Sequence, residues 1–106
     1  MKLYQVDAFT REAFKGNPAG VWVGETFPPD ALMQSLAAEI NASETAFVQI
    51  DKSGYAIRYY TPTREVPLCG HATLASAHLL RELEIVAEAE PFVLRAARDN
   101  LTVSVE

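Results

Sequence analysis

Two short stretches carry the residue types that proton transfer on a small molecule requires. The first is Asn41-Ala42-Ser43-Glu44-Thr45-Ala46-Phe47, with Glu44 at the seam between a helical pattern and a β-rich run. A carboxylate followed by Ala46, Phe47 and Val48 is placed to lose part of its water. Desolvation raises a carboxyl pKa and makes the group a usable acid or base near neutral pH. The second is Pro67-Leu68-Cys69-Gly70-His71-Ala72-Thr73, which runs from an irregular segment into a helix. Glycine at a helix start lets backbone N–H groups approach a ligand, and the helix N-terminus favours an anion such as a carboxylate. His71 stands at that mouth, where an imidazole donates a hydrogen bond or shuttles a proton. Asn17, in Gly16-Asn17-Pro18-Ala19-Gly20, offers an amide. Each has a bland counterpart: a surface Glu before a strand, a turn glycine with a capping histidine, ordinary turn chemistry at Asn17. Taken one at a time, local sequence favours the bland counterpart for Glu44 and for Gly70-His71.

The remaining reactive types point less clearly. Cys69 neighbours a helix N-terminus, which lowers a thiol pKa, but a small buried apolar residue suits the position equally well. His78 falls two turns beyond His71 and reads as a satisfied core histidine. Only these two histidines exist, too far apart on one helix to share an ion, so no metal site is indicated. Walker-type and Rossmann-type glycine patterns are absent, so no nucleotide cofactor is indicated either.

Residues 2–9 alternate with roughly period two and read as a strand. Residues 10–19 are polar and end in a turn signal, and residues 21–23 form a short strand. Pro28 and Pro29 suit a helix start, and Leu32, Leu36, Ala37 and Ile40 mark an amphipathic helix over 29–40 that stops at Asn41. Two β-rich runs, 45–50 and 55–61, flank a hairpin turn at Asp51-Lys52-Ser53-Gly54. Residues 71–83 read as a helix that is apolar or small nearly all round over 72–80, hence buried. Residues 92–95 and 101–105 close the pattern as strands around a turn at Arg98-Asp99-Asn100. The fold class is therefore α+β, with a barrel-like sheet curled around a central buried helix.

Bulk properties narrow the partners. The 106 residues suit a single domain, and 49% hydrophobic with 22% charged residues is ordinary for a soluble domain with a real core. Nine Lys+Arg against fourteen Asp+Glu give a net charge of -5, with no basic cluster, so nucleic acid and anionic membrane are poor partners. No signal-like or membrane-length apolar stretch is present, and Cys69 is the single cysteine, so a cytoplasmic setting is expected.

Together the motifs resemble the PhzF family of phenazine-biosynthesis-like isomerases, which share the diaminopimelate epimerase fold. The resemblance rests on Val6-Asp7-Ala8-Phe9-Thr10, Phe14-Lys15-Gly16-Asn17-Pro18-Ala19-Gly20-Val21, Asn41-Ala42-Ser43-Glu44-Thr45-Ala46-Phe47-Val48, Ile57-Arg58-Tyr59-Tyr60-Thr61-Pro62 and the run from Glu65 through Gly70-His71 to Ala77, in that order. It implies two similar lobes, each a barrel-like sheet around a central helix, with the active site in the cleft between them. It implies a cofactor-free enzyme, often dimeric, that moves a proton on a small carboxylate-bearing ring; the namesake isomerises a dihydro-hydroxyanthranilate. It places the catalytic glutamate at Glu44, assisted by His71, and puts Asn17, Ser43, Gly70 and Ala72 against the substrate. Cys69 has no catalytic role by this resemblance, because the cysteine pair of the related epimerases is replaced in the family.

Family chains are roughly twice this length, so residues 1–106 are expected to be one N-terminal lobe. Three arrangements follow: a truncated piece inactive on its own, one half needing a complementary second lobe, or a chain that pairs with itself across a two-fold axis. The rival from another class is a non-catalytic half-barrel that binds a small ligand or a partner.

Overall fold

The computed structural model describes residues 2–8, 17–52, 54–67, 69–83, 85, 92–96 and 100–103. The elements are β1 (Lys2–Ala8), β2 (Asn17–Gly24), α1 (Asp30–Ile40), β3 (Glu44–Asp51), β4 (Gly54–Tyr60), β5 (Glu65–Val66), α2 (Gly70–Glu82), β6 (Phe92–Arg95) and β7 (Asn100–Val103). One mixed sheet runs β1-β2-β3-β4-β6-β7, with β5 paired to β4 off that path. Antiparallel pairs join β1 to β2, β3 to β4, β4 to β5 and β6 to β7, while β2 with β3 and β4 with β6 are parallel.

Strand alternation sends two sets of side chains to opposite faces. Ala19, Val21, Ala46, Val48, Ile57, Tyr59 and Leu94 meet Ala72, Ala75, Ala77, Leu79 and Leu80 of α2. Because this core draws on β2, β3, β4 and β6, with Tyr4 of β1 at its margin, the sheet curls about α2 as the pattern implied. The curl is not a closed barrel: β1 and β7 stand at the two ends of the strand order. The other face carries Trp22, Phe47 and Tyr60 against Met33 and Ala37 of α1. Phe47 meets Tyr60 edge-on at 5.5 Å and lies tilted against Trp22 at 5.9 Å, arrangements that aromatic quadrupoles favour.

Several local expectations change. Residues 17–19 belong to β2 rather than to the preceding turn; Phe9 to Gly16 lie outside the described residues. Pro18 is tolerated because it precedes Ala19–Glu44, the first β2–β3 partner pair, and so meets only β1. On α1 the buried line is Met33 and Ala37, whereas Leu32 is 49% exposed. On α2 the all-round apolar reading fails. Leu74 and His78, four residues apart, share an exposed strip, so His78 is a surface residue and not a core one.

The turns behave as their residue types require. Asn41 ends α1 in the left-handed region at φ 54, its N–H donating to the Ala37 carbonyl. Gly54 takes φ 117 opposite Asp51, a conformation L side chains resist, and so closes the β3–β4 hairpin; Ser53 of that turn is outside the described residues.

Candidate active site at the mouth of the second helix

The direction of α2 decides what shares its N-terminal end. Thr73, in its first turn, is hydrogen-bonded to Tyr59 of β4, and Tyr59 is the partner of Ala46 in β3. At the far end the Tyr55 hydroxyl donates to the Ile85 carbonyl at 3.3 Å, and Tyr55 is the partner of Ile50. The helix therefore runs with β3, its mouth over the strand start and its C-terminal end over the strand finish. β2 is parallel to β3, so the first residues of β2, β3 and α2 gather at one end of the sheet.

Glu44 opens β3 there, half-buried and opposite Ala19 of β2. Alternation puts it on the same face as Ala46 and Val48, the face that α2 covers. It lies two residues, roughly 6–7 Å of strand, before Ala46. Its position follows from α1: after the left-handed stop at Asn41 only buried Ala42 and exposed Ser43 intervene. Asn17 opens β2 at the same end. Gly70 and His71 are the first two residues of α2. The Asn17 and His71 side chains lie outside what the structure describes.

The N-cap of α2 is Cys69, in extended conformation, whose side chain makes no capping hydrogen bond to the helix. Thr73 donates the first helical N–H bond, to the Cys69 carbonyl at 2.9 Å. The N–H groups of Gly70, His71 and Ala72 precede it and have no intrahelical acceptor. Ala72 is fully buried as a side chain, so only its backbone can meet a ligand. N–H groups without an intrahelical acceptor at a positive helix end are the kind of donor set that receives an anionic oxygen, and a half-buried carboxylate opens at the same end of the sheet.

Two networks were not singled out by the sequence reading. Tyr59, only 1% exposed, and Thr73 form a buried hydroxyl pair beneath the mouth. Burial pushes the Tyr59 hydroxyl above its ordinary pKa. The legible signal was Thr73 four residues after Cys69, the spacing at which a hydroxyl reaches back along a helix. On the α1 face, Arg58 bonds both Glu65 oxygens at 2.8 and 2.7 Å and Asp30 at 3.0 Å, and it lies over the rings of Phe27 and Tyr60. The Glu65 hydrogen bonds lead in holding its guanidinium pKa above the ordinary value, against partial desolvation. This clamp fixes β5 on β4, and β5 ends at Val66, shortly before α2 begins at Gly70.

An apolar groove of about 490 Å³ lies between β1, β2 and α1, lined by Leu3, Trp22, Pro28, Pro29, Leu32 and Leu36, with Thr26 at its edge. It sits on the α1 side and contains none of the proton-transfer candidates. Among the described residues no three His, Cys, Asp or Glu side chains converge as a metal-ligand set. No helix among them is long and apolar enough to cross a membrane.

Comparison with known proteins agrees with the α+β fold. The sequence profile of the phenazine biosynthesis-like proteins, PhzC-PhzF, matches residues 6–106, and the chain belongs to that family. An uncharacterized isomerase of Halalkalibacterium halodurans is 51% identical over 102 residues, covering 96% of this chain and 38% of its own length. The uncharacterized isomerase YddE of Escherichia coli is 53% identical over 85 residues, covering 76% of this chain and 27% of its own. The crystal structure of a PhzF-family phenazine biosynthesis protein from Enterococcus faecalis superposes with a TM-score of 0.90 at 47% identity, over 98% of this chain and 40% of that one. The chain thus spans from about a quarter to two fifths of the length of these relatives.

Proposed function

We propose that this chain supplies the acid-base lobe of a cofactor-independent isomerase. Glu44 moves a proton on a small carboxylate-bearing, conjugated ring. His71 assists the transfer, and the Gly70 and Ala72 N–H groups hold a substrate oxygen, with Asn17 and Ser43 lining the approach. What supports this reading is the gathering of Glu44 and the α2 mouth at one end of the sheet. The carboxylate takes the proton while the N–H groups and helix dipole stabilise the negative charge that develops on the oxygen. The proton is then returned to another ring position, so that no net oxidation occurs.

The test is deuterium uptake. In D2O a dihydro-hydroxyanthranilate incubated with the chain gains deuterium at the exchanging carbon, read by mass spectrometry. Glu44→Gln is expected to slow exchange by about 10²–10⁴-fold, the usual worth of a positioned acid-base group. Unchanged exchange in that variant contradicts the assignment.

A second reading follows from the share of its relatives that the chain spans, from about a quarter to two fifths. In it the lobe completes its site with a complementary lobe or with a second copy of itself. Exchange per chain that rises with chain concentration marks self-pairing. Binding of the ring acid without exchange at any concentration favours a non-catalytic half-barrel.

A further inference from the structure

The hydrogen bonds beneath the α2 mouth carry one step more, which rests on the reading of Gly70 as an oxygen holder. The Cys69 carbonyl accepts two bonds from Thr73, its N–H at 2.9 Å and its hydroxyl at 2.8 Å. A carbonyl cannot donate, so the single Thr73 hydroxyl proton is committed to Cys69. The short contact between the Tyr59 and Thr73 hydroxyls must then have Tyr59 as donor. The result is a directed chain from Tyr59 O–H to Thr73 O–H to the Cys69 carbonyl. Tyr59 is buried, which keeps its phenol protonated and able to fill that role.

The Cys69 carbonyl shares a planar trans peptide unit with the Gly70 N–H, and the two point in opposite directions. Turning the carbonyl into the helix therefore turns the N–H out of it. Tyr59 belongs to β4 and is the partner of Ala46, on the strand that Glu44 opens. One hydroxyl chain thus orients the Gly70 donor and ties it to the strand that carries the acid-base residue. We propose that Thr73 and Tyr59 are positioning residues, which aim the Gly70 N–H at the substrate oxygen and set its place relative to Glu44.

Ser76 supplies an internal control. Its hydroxyl donates to the Ala72 carbonyl at 2.7 Å, and it is fully buried on the same helix. That carbonyl belongs to the Ala72–Thr73 peptide, beyond the mouth. Loss of the Ser76 bond should loosen α2 generally without releasing Gly70.

The experiment is 15N NMR on the 106-residue chain and its Thr73→Val, Thr73→Ser, Tyr59→Phe and Ser76→Ala variants, with and without benzoate as the carboxylate probe. Without ligand, the Gly70 N–H order parameter should fall from about 0.85 toward about 0.6 in Thr73→Val. It should fall partway in Tyr59→Phe and stay at the parent value in Thr73→Ser and Ser76→Ala. Benzoate affinity, read from the Gly70 amide shift, should weaken about tenfold in Thr73→Val and about threefold in Tyr59→Phe, the loss of one or part of one hydrogen bond. An unchanged Gly70 in Thr73→Val, or an equal loosening in Ser76→Ala, overturns the proposal. If Thr73→Val does not fold, Tyr59→Phe decides: a Gly70 as rigid as in the parent chain overturns it. Should Gly70 loosen as expected while benzoate leaves its amide unmoved in the parent chain, the orienting chain stands and the oxygen-holding reading falls.

Discussion

The two faces of the sheet are packed by opposite means. The α1 face uses bulk: Trp22, Phe47, Tyr60 and Met33 interlock, and Arg58 seals their edge against Glu65 and Asp30. The α2 face sets small residues among its aliphatic ones: Ala19 and Ala46 on the strands and Ala72, Ala75 and Ala77 on the helix, beside Val21, Val48, Ile57, Leu80 and Leu94. Large side chains hold elements apart and gain stability from buried area. Small ones let backbones approach, which brings a helix mouth down to the strand starts where Glu44 lies. The contrast teaches that the candidate chemistry sits on the face with the larger aliphatic core, while a separate aromatic cluster holds α1 to the other.

Substitutions can break or sharpen that division. The largest effect is expected from Phe47→Ala, which opens a cavity between two rings and should cost about 3–5 kcal/mol in chemical denaturation. If the surviving folded fraction keeps benzoate affinity at Gly70, the faces are separable; a loss in proportion to stability would mean they are not. Ala75→Leu attacks the other face. It overpacks a fully buried site, should cost about 1–3 kcal/mol, and should weaken benzoate binding beyond the stability loss because the helix is lifted from the sheet. A smaller effect of opposite sign is expected at Thr45. Its buried hydroxyl faces the α1 side and finds no partner among the described residues. Thr45→Val removes that unsatisfied group and should raise stability by about 1 kcal/mol.

The smallest effect is set by pH. The Tyr59 and Tyr60 hydroxyls are both raised above their ordinary pKa, chiefly by burial. Folding therefore favours their neutral forms. That contribution is complete below the unfolded tyrosine value, about 10, and is lost as pH rises through the folded values. Melting temperature should hold steady up to about pH 9 and fall above it, with a shallower alkaline fall in Tyr59→Phe. An equal slope in the variant would remove Tyr59 from the account.

The sequence made much of this legible, unevenly. Apolar period and breakers located both helices, and Asn41 and Gly54 ended their elements where their backbone freedom predicts. The extent of α2's burial was misread, because composition cannot show that a sheet stops short of closing. Ala and Ser look buried on every side of a helix until one strip, here Leu74 and His78, is left uncovered. Glu44 and Gly70 stood out only through ordered motifs, since proximity across the sheet depends on the β2–β3 register, which no local pattern encodes. Tyr59 and the Arg58 clamp were missed for the same reason: their partners lie 7 to 28 residues away.

The central claim is that Glu44, which opens β3 at the α2-mouth end of the sheet, transfers the proton. Deuterium uptake by a dihydro-hydroxyanthranilate with Glu44→Gln tests it most directly, with the variant's fold checked by its melting temperature. The account predicts a fall of about 10²–10⁴-fold in exchange with melting little changed. Parent-level exchange in a folded Glu44→Gln chain would contradict it.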